Sequence, residues 1–399
     1  MTVRVNKSSF NIREKLSELG RKFGLKGSEL VAAETVQEAR EVVSAGRKNL
    51  VINGDLRIWQ RSTSATLNSS TNMTHKTADR WNHYHASDGA VTESRSTDVP
   101  TGAGFYYSMK HEVTTADASI SANQYHCHKY DIEGYDVAHL MWGTAQAKPI
   151  TVSFWAKSSV TGDYGFCIRP GANNGRFYVD TLTISQANTW KKYSFTVPGC
   201  PDGTWEKTTS AGLQVQISHS MGTEYVTSTL RQWINVVDVS PTTQVNWMAT
   251  VGNTWYITGL QVEVGKNATE FEHRPYGEEL SLCQRYYQKM YFTTSDYPFG
   301  FCYTYQQGSS ACSIPLAAPM RTSSPNITFA TLRIRGYNQD GTNGSQNISN
   351  ITGQTQESHA LLQADLSHSN VPSDAVGSAS VLTNGVSSSA SYLAVDAEL

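Results

Sequence analysis

The stretch EFEHRPYGEELSLCQRYYQ, residues 270–288, brings four glutamates, a histidine, two arginines, a cysteine and three tyrosines into nineteen positions. Paired carboxylates are the equipment of glycoside hydrolysis, where two acids stand about 5 Å apart for retention or about 6.5–9.5 Å apart for inversion. The local signals here point to structure instead. Pro275 and Gly277 interrupt regular pairing, and GEELSLCQRYYQK reads as a short helix with Glu278 and Glu279 at its positive end. Glu272 with Arg274 and Glu279 with Arg285 are the expected ion pairs, while Leu282, Tyr286 and Tyr287 pack. Residues 270–290 are thus expected to form a joint between two domains. Acidic residues are sparse in the distal half, G-x-S-x-G and H-E-x-x-H are absent, and no short-period β-helix repeat occurs. No catalytic residue is assigned, and a non-enzyme is expected.

Other side chains have the chemistry to bind. His83 and His85 in WNHYHAS, and His126 and His128 in QYHCHKY, have the i, i+2 spacing that puts two imidazoles on one face of a strand, as transition-metal ligands require. No carboxylate or cysteine set completes such a site by spacing. Exposed histidines on strand edges are the expectation, with no metal and no cofactor assigned. The loop NQDGTNG offers oxygen ligands without the acidic spacing of a dedicated Ca²⁺ site. Six cysteines are widely spread without CxxC pairs; Cys302 and Cys312 flank QQGSSA in a hairpin-like stretch and can face each other across it, reduced if assembly is cytoplasmic. Aromatic rings stack on sugar faces while amides and carboxylates bond the hydroxyls. Trp142, Trp205, Trp233 and Trp247 are candidates for which the sandwich core is the competing place. In the distal region Tyr297, Phe299, Tyr303, Tyr305 and Tyr337 offer the same chemistry, and Tyr303, Tyr305 and Tyr337 are taken as the candidate glycan contacts.

The elements that must position these groups are mainly β. The chain has 399 residues, room for two cores, with 32 basic against 34 acidic residues, so no net field draws it to nucleic acid. No apolar run reaches the roughly 20 residues of a membrane helix, and the opening MTVRVNKSSFNIREKLSEL has no signal-like apolar stretch, so neither insertion nor export is expected. Residues 1–48 carry ten basic residues and the helical patterns: Ile12, Leu16 and Leu19 share one side, and Val36 and Val43 belong to a second narrow stripe behind a Thr35–Glu38 capping box. Such short helices must dock on something. From Asn49 the period changes to two in NLVINGDLRIWQR, PITVSFWAKSS, DYGFCIRP, WKKYSFTVPG, GLQVQISHS and TWYITGLQVEVG, which predicts a jelly-roll β-sandwich over 49–269. Residues 291–399, with three arginines, no lysine and seven acidic residues, carry their own strand patterns and predict a smaller C-terminal β-sandwich.

NLVINGDLRIWQR, ADRWNHY, PITVSFWAKSS, WKKYSFTVPG, GLQVEVGKNATEFEHRPYGEELSLCQRYYQK and YLAVDAEL together resemble structural proteins of tailed-bacteriophage virions, found among tail-fibre and appendage proteins. The block around CQRYYQK is the most specific. NIREKLSELGRKFGLKGSEL resembles the N-terminal segment of such proteins, and the central region is also similar to carbohydrate-binding jelly-roll modules. The resemblance implies that residues 1–48 attach to other virion proteins, that the chain forms a homotrimer, and that the distal domain faces a host-surface glycan. Assembly in the host cytoplasm and a place on the tail or capsid surface follow from the same likeness. The alternative is a capsid decoration or head-fibre protein that covers the particle; a bacterial lectin-like module would leave the basic head unexplained.

Overall fold

The computed structural model describes residues 47–69, 75–171, 175–292, 298–306, 308–337, 343–356, 359–368, 379–384 and 391–399. The attachment residues Ile12, Leu16, Leu19, Val36 and Val43 lie outside these, as do Tyr297, the side chain of Tyr337 and most of the loop NQDGTNG.

Period-two patterning gives a strand two distinct faces. The first β unit has two antiparallel sheets and one short parallel pair of strands (226–227 with 240–241), and its central strands, such as 125–133 and 211–221, are buried on both faces. Its strands are β1 (Ser64–Leu67), β2 (Trp81–Ala86), β3 (Ala90–Ser96), β4 (Ser108–Thr115), β5 (Tyr125–Glu133), β6 (Ile150–Ser158) and β7 (Gly162–Pro170). They continue as β8 (Phe177–Ile184), β9 (Lys191–Val197), β10 (Ala211–Met221), the short β11 (Val226–Thr227), β12 (Trp233–Ile234) and β13 (Ser240–Pro241), then β14 (Thr254–Val264). One sheet runs β1-β3-β4-β14-β6-β9 and the other β12-β8-β7-β10-β5-β2. Met109, Val113, Phe154 and Ile257 from the first meet Tyr130, Phe166, Val215 and Ile217 from the second in one core. Trp142, Trp205 and Trp247 are buried there as core, and half-buried Trp233 packs edge-on against the first two.

The same alternation carries histidines inward. His83 and His85 follow Trp81, His126 and His128 precede Tyr130, His111 lies between Met109 and Val113, and His219 follows Ile217, all at the interior parity and at most 1% exposed. The expectation of exposed edge histidines is therefore corrected. β2 is an edge strand of its sheet, but the pleat turns both of its imidazoles into the sandwich.

NLVINGDLRIWQR, expected as a strand, is an irregular strap. Asn53 and Leu56 take left-handed backbone (φ 57° and 58°), which breaks any ladder. Isolated backbone bonds tie it to residues 260–262, with Leu50 N–H donating to the Val262 carbonyl at 2.9 Å and Leu260 N–H to the Gly54 carbonyl at 3.0 Å. Side chains meet other polar groups: Ile52 N–H donates to Tyr130 Oη at 2.8 Å, and Asn53 Nδ2 donates to the Ile58 carbonyl at 2.8 Å. Gly54 lies so close to β14 that a Cβ there would stand 2.2 Å from the Leu260 carbonyl oxygen.

A single-turn helix, α1 (Gly134–Val137), follows β5, and α2 (Tyr276–Gln284) begins the second unit, whose strands are β15 (Tyr287–Phe292), β16 (Pro298–Gln306), β17 (Ser309–Pro315), β18 (Asn326–Ala330) and β19 (Leu332–Tyr337). β20 (Asn343–Gln356), β21 (His359–His368), β22 (Ala379–Asn384) and β23 (Ser391–Asp396) complete it. It has two β layers, as expected; one closes on itself as the six-stranded barrel β16-β17-β21-β20-β19-β22, and the other is the sheet β15-β23-β18. Ile314, Leu332, Leu362 and Leu382 of the barrel share a core with Leu393 and Val395 of β23. Cys302 and Cys312 are directly paired across the β16–β17 hairpin and joined by a disulfide.

Candidate functional site

On the second unit, alternation along β16 puts Cys302 and Thr304 inside and Phe301, Tyr303 and Tyr305 outside, with exposures of 78%, 53% and 44%. Such large apolar faces in water are the informative departure from normal patterning. Strand register extends this row into two lines across the barrel surface. Phe301 is paired with Ser313, Ser313 with Gln363 and Gln363 with Gln354; Tyr303 is paired with Ala311, Ala311 with Asp365 and Asp365 with Thr352. All of these side chains are exposed, and they line one shallow depression. With strands about 4.8 Å apart, each line reaches some 14 Å from an aromatic ring to an amide or hydroxyl. The surface thus offers flat apolar faces at one edge and acceptors and donors at the other. Of the three expected glycan contacts, Tyr303 and Tyr305 lie on this face, Tyr305 at the register shift that ends the hairpin, while the side chain of Tyr337 is outside the described residues. Phe301, Gln363, Gln354 and Asp365 were not singled out by sequence reasoning; the i, i+2 series Phe301-Tyr303-Tyr305 was the signal available.

The expected joint residues form a second cluster. Arg274, almost fully buried, donates through Nη1 to the Val51 carbonyl at 2.9 Å and meets Glu279 at 3.3 Å and Glu272 at 3.7 Å. Glu272 accepts from the backbone of Lys48 and Asn49 at 2.9 and 2.6 Å, and Glu278 pairs with Arg47. The pairing of Glu272 with Arg274 is found; that of Glu279 with Arg285 is not. The helix turns Glu279 towards Arg274 and the strap, whereas Arg285, past its end, reaches Glu133 of β5 at 2.7 Å. Tyr286 Oη donates to the same carboxylate at 2.6 Å, and the Arg80 guanidinium lies 3.5 Å from the Tyr286 ring centre. Arg61 covers Tyr287 at 3.7 Å.

Glu398 closes the cluster. It is bonded to Arg80 and lies 3.3 Å from Arg61, which also meets Asp396 at 3.0 Å. Burial alone would raise the Glu398 carboxyl, but Arg80, His75 once protonated in acid, and Arg61 hold it down at about 2. Burial pushes the nearby His75 down to about 3, so its 3.8 Å approach to Glu398 is not an ion pair at neutral pH. Asp79 is pushed up to about 6 by burial, an effect Arg61 only partly offsets. No local spacing in the sequence announces Arg61, Arg80, Glu133 or Glu398, because the pairs are made between residues as much as 337 positions apart. Replacing Tyr286 with phenylalanine is expected to lower stability by about 1–3 kcal/mol, since buried Glu133 loses a donor and keeps only Arg285. Denaturant unfolding reads this directly, and a loss near zero would mean Tyr286 serves through its ring alone.

No family profile matches the chain, and no curated protein does. Solved structures similar to it include the enzymatically active domain of bacteriophage CBA120 tailspike protein 4, at 15% identity and TM-score 0.29, covering 54% of this chain and 21% of that one. A CBM4 carbohydrate-binding module is similar at 17% identity and TM-score 0.29 over 53% of this chain and 98% of its own. The CBM22-1 xylan-binding domain of Paenibacillus barcinonensis Xyn10C is similar at 11% identity and TM-score 0.26, over 51% and 95%. The chain spans about a fifth of the tailspike domain's length.

Proposed function

We propose that the protein is a non-enzymatic structural component of a tailed-bacteriophage particle, a tail-fibre or appendage protein whose distal barrel presents a glycan-binding face to the host surface. The observation that carries this reading is the exposed row Phe301, Tyr303 and Tyr305 beside the polar lines ending at Gln354 and Thr352. The aromatic faces stack on sugar rings, and Gln363, Gln354, Ser313 and Asp365 bond hydroxyls. Asp365 disfavours uronic or sialic acids, so neutral or amino sugars are the substrate class. The virion placement rests on the sequence blocks that resemble phage appendages, and residues 1–48 are the proposed attachment segment. A label on the protein in intact particles tests this reading: copies at the tail or its collar are expected, with adsorption lost when residues 291–399 are removed. Copies on the head with unchanged adsorption would favour decoration.

Tyr303→Ala is expected to weaken binding to the recognised glycan by about tenfold, or ~1.4 kcal/mol, without changing the melting temperature, because the ring is outside the core. Isothermal titration checks it; unchanged affinity would remove Tyr303 from the surface.

A further inference from the structure

The sandwich interior holds six of the chain's eleven histidines, and their partners fix where several ring protons sit. The Gly89 carbonyl can only accept, so His85 Nε2, 3.1 Å away, carries a proton, with the Ser87 hydroxyl at 3.3 Å as a second neighbour, and in the neutral ring His85 Nδ1 does not. His126 Nδ1, 2.9 Å from that bare nitrogen, must donate to it, which leaves His126 Nε2 with its lone pair. On the opposite sheet, Glu93 accepts from Thr77 and stands 2.7 Å from His111 Nε2. With Glu93 ionised, that nitrogen donates and His111 Nδ1 keeps its lone pair. His111 Nδ1 and His126 Nε2 face each other at 3.2 Å. Two lone pairs at that separation repel, and a cation between or beside them resolves the conflict.

A shared proton would answer for these two nitrogens alone. It leaves His219, whose ring centre is 5.2 Å from that of His126 and 6.0 Å from that of His111. His219 is fully buried, and neither of its nitrogens has a hydrogen-bond partner. The same holds for both nitrogens of His128, 4.7 Å from His219 between ring centres. Burying unpartnered polar atoms costs free energy that a ligand for them would recover.

We propose that His111, His126 and His219 bind one divalent transition-metal ion of the zinc class within the jelly roll, through His111 Nδ1, His126 Nε2 and a ring nitrogen of His219. Their donor atoms all lie within 4.8 Å of one another. The 3.2 Å pair matches the ~3.3 Å edge of a tetrahedron with metal–nitrogen bonds of about 2.0–2.1 Å. An imidazole set suits zinc, cobalt, nickel or copper and not calcium or magnesium, which take oxygen. Glu93 and His85 act as positioning groups that set the tautomers of the ligands, the carboxylate–histidine–metal arrangement. His111 comes from β4 of one sheet, and His126 and His219 from the paired β5 and β10 of the other, so the ion staples the two sheets. His219 sits at the register shift between Ser218 and Ser220, an irregularity of the kind that re-aims a side chain.

The test uses the full chain, purified without a histidine tag, then unfolded and refolded with Zn²⁺ or with a chelator. About one zinc per chain by elemental mass spectrometry is expected, with a melting temperature about 5–10 °C higher at hundredfold excess over Kd. Co²⁺ in its place gives the visible absorption of a tetrahedral site. His126→Gln and His219→Gln are each expected to lower bound metal more than tenfold. Less than a tenth of an equivalent in the unaltered chain, or undiminished metal in both variants, overturns the proposal. If the variants do not fold, the zinc dependence of melting and the cobalt spectrum of the unaltered chain decide it.

Discussion

Replacing Glu398 with alanine lowers stability by about 3–5 kcal/mol, because it leaves the fully buried Arg80 guanidinium without its carboxylate. The Arg80 head would keep the Asp131 carbonyl and the face of Tyr286, neither of which neutralises it. The pH dependence has a definite sign. Glu398 titrates at about 2 when folded, against an ordinary value of 4.5. A depressed carboxyl contributes stability that is fully present above the ordinary value and is lost as pH falls towards 2. Unaltered protein should therefore lose stability steeply over that window in urea titrations, and Glu398→Gln should lose less. Asp79 works oppositely: with its carboxyl raised to about 6, its contribution is full below 3.8 and is lost as pH rises to 6. A Glu398→Ala protein as stable as the parent would show that the cluster is not closed by this residue.

Arg274→Ala is the second large effect, again about 3–5 kcal/mol. Its guanidinium serves the carbonyls of Asn49 and Val51 and the carboxylate of Glu279. Without it Glu279 is a buried charge and the strap loses its fastening to the helix. Limited proteolysis should then cut within residues 49–61, a region the parent protects through the packing of Ile52 and Ile58 on Cys283 and Tyr286. Arg274→Lys is expected to recover only part, because an ammonium cannot span three acceptors with a planar fork. Protection of the strap in Arg274→Ala would mean that the apolar packing holds it unaided.

Much of the fold was legible because period two is a local signal. PITVSFWAKSS, DYGFCIRP and TWYITGLQVEVG are strands, and GEELSLCQ lies within a helix. The strap was misread because NLVINGDLRIWQR alternates like a strand, while its conformation is set by Arg274, Tyr130 and Leu260, all remote in sequence. Barrel closure likewise depends on pairing β16 with β22, which no local pattern encodes. Within 270–290 the Glu272–Arg274 pair was legible from spacing, whereas the partners of Glu279 and Arg285 were not. For the histidines the spacing gave the right face and composition gave the wrong side: polar rings suggest solvent, yet their parity continues Trp81, Tyr130 and Ile217 into the core. On the barrel, Tyr303 and Tyr305 could be named from sequence, whereas Gln363, Gln354 and Asp365 join them only through register.

The proposed glycan-binding role of the outer barrel face stands or falls with residues 301 and 303. The most direct measurement is a glycan array probed with the full chain and with its Phe301→Ala/Tyr303→Ala double variant, whose changes lie outside the core and leave melting unaltered as a control. The parent is expected to bind a neutral or amino-sugar glycan, weakened about a hundredfold in the double variant. Equal binding by both proteins, or none by the parent to glycans of the recognised host surface, would contradict it.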